Sequence, residues 1–127
     1  MRHATAHPPT AEERDQAPLD IDTMRDTIDL LLGPDDGPDA LPPVVDLDLL
    51  TAAVRGHLEL TLPEVERLAG TLPRHKTYYA LACASEARRQ LSLTAGPELE
   101  HRVTRARRLA RALNSLCNEY ERLGAAS

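Results

Sequence analysis

At 127 residues the chain is long enough for one domain and short for two independently folding units. Its 21 Leu and 18 Ala stand against five Val, two Ile, three Tyr and no Phe or Trp, a composition that excludes most sheet architectures because strands draw on β-branched and aromatic side chains. The net charge of −5 is unevenly spread: residues 1–48 hold twelve acids and three bases, and residues 49–127 hold eight acids and twelve bases.

Residues 1–18 contain three prolines and almost nothing apolar, so they are expected to form a disordered tail ahead of a helical domain over 19–124, with 125–127 a frayed end. Ile21, Met24, Ile28 and Leu31 or Leu32 then recur at three-and-four spacing. That spacing predicts a short amphipathic helix, capped by Asp20 or Asp22 and stopped by Gly33-Pro34. Residues 33–46 hold two glycines and four prolines among several aspartates and read as a connecting loop. No calcium-loop spacing is present there.

A second helix is predicted from about Asp46, with Leu47, Leu50, Val54, His57, Leu58 and, at one edge, Leu60 on its inner arc. Pro63 interrupts it, and Thr61-Leu62-Pro63-Glu64 has the form of a capping box, so either a new helix starts here or one long helix kinks. Gly70 and Leu72-Pro73 close this part. A third helix over about 75–93 places Ala80, Cys83, Ala84, Ala87 and Leu91 on one side, a stripe small enough for close packing. After Ala95-Gly96-Pro97 the last helix is predicted to run to about Leu123, with Leu99, Val103, Ala106, Leu109, Ala110, Leu113, Leu116, Cys117 and Tyr120 on one arc. Short connections favour antiparallel neighbours. The expected fold is all-α, an up-and-down bundle of four to five helices.

Chemistry is weakly signposted. His57 among apolar neighbours must find a hydrogen-bond partner, and the ordinary role for it is a satisfied boundary histidine. The sharper reading joins it to Glu64, Glu86 and Arg88 in a pocket that would make the chain a small enzyme or ligand-binding protein. Asn114, an asparagine inside a helix, is a candidate for a structural hydrogen bond, or else, with Arg111 and Glu121, for bounding a polar groove that contacts a ligand. Metal at His57 is disfavoured, since its nearest glutamate, Glu59, stands two residues away and not at Glu-x-x-His spacing, and there is no nucleophile elbow or glycine-rich phosphate loop. No cofactor is implied. Cys83 and Cys117 lack Cys-x-x-Cys spacing and read as small buried hydrophobes.

Residues 101–111 hold five arginines in eleven positions, of which Arg107, Arg108 and Arg111 fall opposite the leucines and Arg102 and Arg105 at the edge of the arc. Binding to nucleic acid through this helix is an alternative that the acidic net charge and the absence of an aromatic platform disfavour. Pairing with the acidic front half is the expected role. No apolar run is long enough for a membrane span and the N-terminus lacks a signal-peptide core, so a cytoplasmic protein is expected.

Three stretches carry a family resemblance: Val54-Arg55-Gly56-His57-Leu58-Glu59-Leu60-Thr61-Leu62-Pro63-Glu64-Val65, then Ala82-Cys83-Ala84-Ser85-Glu86-Ala87-Arg88-Arg89, then Ala106-Arg107-Arg108-Leu109-Ala110-Arg111-Ala112-Leu113-Asn114-Ser115-Leu116-Cys117. Over about residues 20–123 the chain resembles small helical proteins of actinomycetes, Streptomyces especially, that are grouped as a domain of unknown function and loosely labelled natural-product biosynthesis proteins. The abundance of arginine and alanine suits a GC-rich genome. Where that family has a histidine after the cysteine of the last helix, this chain reads Cys117-Asn118, a further point against metal. The resemblance implies a cytoplasmic protein near a specialised-metabolite or regulatory locus and transfers no catalytic residue. The expected function is therefore a non-enzymatic accessory or regulatory bundle that works through protein–protein contacts, with a homodimer among its assemblies.

Overall fold

A computed structural model describes residues 19–33 and 44–126. They form four helices, α1 (Ile21–Leu32), α2 (Val44–Ala69), α3 (Arg74–Ser92) and α4 (Leu99–Ala126), with no strand among the described residues. The protein is thus an all-α helical bundle. The expected tail at 1–18 and the loop positions 34–43 lie outside the described residues.

The helix ends follow from local chemistry. Asp20 caps α1, accepting from the Thr23 amide at 3.1 Å and from the Thr23 hydroxyl at 2.7 Å. Gly33 ends it at φ 69°, in the left-handed region that a side chain would resist, and donates its amide to the Asp29 carbonyl at 2.7 Å. Directly after Pro43, α2 begins at Val44, two residues before the predicted start. At the other end of the chain, α4 continues past Leu123 to Ala126.

Pro63 neither ends α2 nor starts a new helix; the helix passes through it. Pro63 and Glu59 lie on the exposed flank, where the Glu59 carbonyl that loses its amide partner can be served by water. The expected capping box does not form. Thr61 is fully buried inside the helix, donates its hydroxyl to the His57 carbonyl at 2.6 Å, and touches the Met24 sulfur.

The direction of each helix can be read from its contacts. Met24 meets Thr61 and Thr27 meets His57, so α1 and α2 are antiparallel. Arg25 meets Glu121 while Arg107 reaches the Leu31 carbonyl, which makes α1 antiparallel to α4 as well. The Lys76 carbonyl accepts from Arg122 and the Gln90 carbonyl from Arg105, so α3 also runs against α4. The topology is up-and-down, with α4 packed on all three other helices and α1 and α3 not touching.

The core gathers Met24, Ile28 and Leu31 of α1, Leu47, Val54, Leu58, Leu62 and Val65 of α2, and Leu109, Leu113, Leu116 and Leu123 of α4. Each fully buried leucine or valine contributes about 1.5–3 kcal/mol. α3 presents Ala80, Ala84 and Ala87 to it, with Cys83 and Leu91 partly buried beside them, which realises the predicted small stripe. Two expected core members are outside. Leu60 is 60% exposed, because it lies nearly opposite Val54 and Leu58 around α2. Leu99 is 46% exposed, because it is the first residue of α4 and projects beyond the helices that would cover it.

Candidate functional site

The six candidate residues are held by different partners. His57, half-buried on α2, lies 3.4 Å from the Thr27 hydroxyl of α1, and burial pushes its pKa below the ordinary histidine value, with Asp20 opposing the shift. Glu64 pairs with Arg67 one turn on, at 3.0 Å. Glu86, exposed on α3, accepts from Arg89 and from Gln90, and these bonds pull its pKa down to about 2. Arg88 crosses from α3 to Glu66 of α2 at 2.6 Å. None of these four bonds to another of them, and each has an ordinary structural partner.

Asn114 and Glu121, grouped by the sequence, belong to a polar joint whose donor, Arg25, the sequence periodicity does not point to. Arg25 of α1 donates to Asn114 Oδ1 and Asn118 Oδ1, each at 3.0 Å, and pairs with Glu121 at 2.5 Å. Positions 114, 118 and 121 share one face of α4, so a single guanidinium fork meets three acceptors in a row. The signal was Arg25 itself, the one base in an otherwise acidic α1.

Arg111 and Glu86 do come together. With Arg89, Gln90, Arg108 and Ser115 they line a cleft of about 480 Å³ between α3 and α4. Gln90 and Arg108 also line a neighbouring cleft of about 530 Å³, which continues along Leu93 to Gly96 and the first turns of α4 through Thr104 and Arg105. Here the Arg105 guanidinium donates to the Gln90 carbonyl at 3.3 Å and that of Arg55, from α2, to the Leu91 carbonyl at 3.4 Å. The pair takes up carbonyls at the C-terminal end of α3. Desolvation, and then the neighbouring Arg55 charge, lower the Arg105 pKa.

The arginine-rich run divides. Arg102 pairs with Asp48 of the acidic half at 2.7 Å, as expected. Arg107, predicted to lie opposite the leucines, is instead half-buried and donates to the Leu31 carbonyl at 3.1 Å, because α1 packs close enough for a long side chain to reach back. His75 and His101 are exposed, and His101 Nδ1 lies 2.7 Å from Glu98.

Among the described residues no group of three His, Cys, Asp or Glu is placed to hold a metal ion, and no helix is long and apolar enough to cross a membrane. Both cysteines are free; Cys117 is buried, and burial pushes its thiol up to about 11. A family model described as a family of unknown function, DUF6415, matches residues 22–125. No curated protein and no solved structure matches the chain.

Proposed function

We propose, for a chain that belongs to the DUF6415 family of unknown function, that it acts by contact, as a non-enzymatic accessory or regulatory bundle whose first partner is a second copy of itself. The carrying observation is the outward face of α3. Tyr78 is 80% exposed and Leu81 47%, and they share a stripe with the exposed Ala82 and Ser85. Those positions fall at i, i+3, i+4 and i+7, on one face of the helix.

The stripe is complementary to itself. If two copies of α3 pair antiparallel about a two-fold axis passing between residues 81 and 82, Tyr78 lies over the partner's Ser85 and Leu81 over the partner's Ala82. Large residues then face small ones on both sides, as an isologous interface requires. The patch is short, so the association belongs at the weak end of specific interfaces. An actinobacterial source and a place beside specialised-metabolite biosynthesis are further parts of this proposal and rest on the sequence resemblance.

Sedimentation equilibrium of the full chain over a wide concentration range tests it. Dimerisation that disappears in Leu81→Glu, with the melting temperature unchanged, is the expected result. A strict monomer at the highest concentration reached, or a dimer that Leu81→Glu leaves intact, would overturn the reading.

A further inference from the structure

We propose that the cleft between the C-terminal end of α3 and the opening turns of α4 binds a compact phosphate-bearing small molecule, with Arg105 and Arg108 as its principal donors. The first support is a charge imbalance at this end of the bundle. Arg25, Arg67, Arg88, Arg89, Arg102 and Arg122 each have a carboxylate within 3.0 Å. Arg55, Arg105 and Arg108 have none among the described residues. Arg55 and Arg105 have long bonds to neutral carbonyls, at 3.4 and 3.3 Å, and Arg108 has no hydrogen bond at all among the described residues.

The carbonyls at a helix C-terminus together present about half a negative charge. Shared between two guanidiniums, that leaves most of the positive charge uncompensated, and Arg108 adds a full unit. Arg105 is also partly withdrawn from water beside Arg55, which depresses its pKa. Like charges brought together without a counter-ion are unfavourable, and an oxyanion in the cleft would relieve them. Guanidinium forks match phosphate oxygens in geometry as well as in charge.

Shape supports a small ligand over an extended polyanion. A cleft of about 530 Å³ lies within the range of small-molecule sites, roughly 300–1,000 Å³. Leu93 and Ala95 supply an apolar wall, and the exposed Thr94 has a hydroxyl with no partner among the described residues. A nucleic-acid backbone would need a longer basic track. Instead Arg102 and Arg107 turn to the protein itself, and Glu86 and Glu98 flank the basic stretch.

Calorimetric melting of the full chain in sodium pyrophosphate, in glycerol 3-phosphate and in sodium chloride of equal ionic strength provides the test. A rise in melting temperature that saturates with either phosphate and is absent in chloride supports the site. A larger rise with glycerol 3-phosphate assigns the natural ligand to the phosphomonoesters, and a larger rise with pyrophosphate to the diphosphates. Because Arg108 is exposed and has no partner among the described residues, Arg108→Glu should fold as the parent does and weaken binding by tenfold or more, whereas Arg108→Lys should keep part of the affinity. Melting in phosphate no different from that in chloride, an equal rise in Arg108→Glu, or retention of a short duplex DNA by a chain that ignores both phosphates would each overturn the proposal.

Discussion

Two of the places where arginine joins α4 to its neighbours have opposite outcomes. At the α1 joint, Arg25 finds two amide oxygens and a carboxylate in a row, so its charge and its hydrogen-bonding fork are both met. At the α3 joint, Arg105 reaches only a backbone carbonyl and Arg108 reaches nothing among the described residues. A guanidinium that the fold has satisfied is an architectural clamp. One that the fold has brought to a cleft and left uncompensated is available to something else, and this is why the two joints, alike in composition, are assigned different roles.

The comparison presupposes that both joints hang on the same apolar spine, and the largest expected effect tests that premise. Leu113 is fully buried on α4, within the core built by α1, α2 and α4. Leu113→Ala should lower unfolding stability by about 2–5 kcal/mol through lost transfer energy and the remaining cavity. Chemical denaturation followed by circular dichroism measures it. If the fold depended on its arginine joints more than on its leucines, the loss would fall well below that range and the contrast between the joints would need to be redrawn.

Much of this spine is legible in the sequence, and what is not has a geometric cause. Met24, Ile28, Val54, Leu58, Leu109 and Leu113 repeat at helical spacing and are buried where that spacing puts them. Leu60 shows the limit: hydrophobicity drew it to the arc, but its angular position does not. Pro63 shows another, since a breaker rule weighs a missing amide without knowing which flank of the helix faces water. The polar sites were harder to see. Of six candidates, only Glu86 and Arg111 share a cleft, and Asn114 matters through Arg25, eighty-nine residues away in sequence. Whether Arg88 reaches Glu66 or Arg107 reaches Leu31 depends on how neighbouring helices are rotated about their axes, which composition and periodicity do not specify.

A smaller effect should come from the α1 joint itself. Arg25→Ala leaves Asn114, Asn118 and Glu121 without their common donor, but the Glu121 side chain is 55% exposed and water replaces much of what is lost. The expected loss is about 1 kcal/mol. It should appear as faster hydrogen exchange in α1, with α3 unchanged, because α1 and α3 do not touch. Exchange that rises equally in both helices would mean that the joint braces the whole bundle, and the separation between the two regions would fail.

The smallest effect concerns the same joint from its α2 side. His57 sits against Thr27 under α1, and burial holds its folded pKa below the usual 6.5. The unfolded chain therefore takes up the proton first as pH falls. By linkage, stability present above pH 6.5 is lost as pH drops through the folded value, and is constant again beneath it. His57→Gln keeps a polar group at the position and removes the titration, so the slope of melting temperature against pH just below 6.5 should flatten in that variant. An unchanged slope would assign the acid sensitivity to other groups. A steeper loss in the parent, accompanied by faster exchange in α1 alone, would show that a proton on His57 loosens the joint that Arg25 holds, while the arginine-lined end of α3 stays as it was.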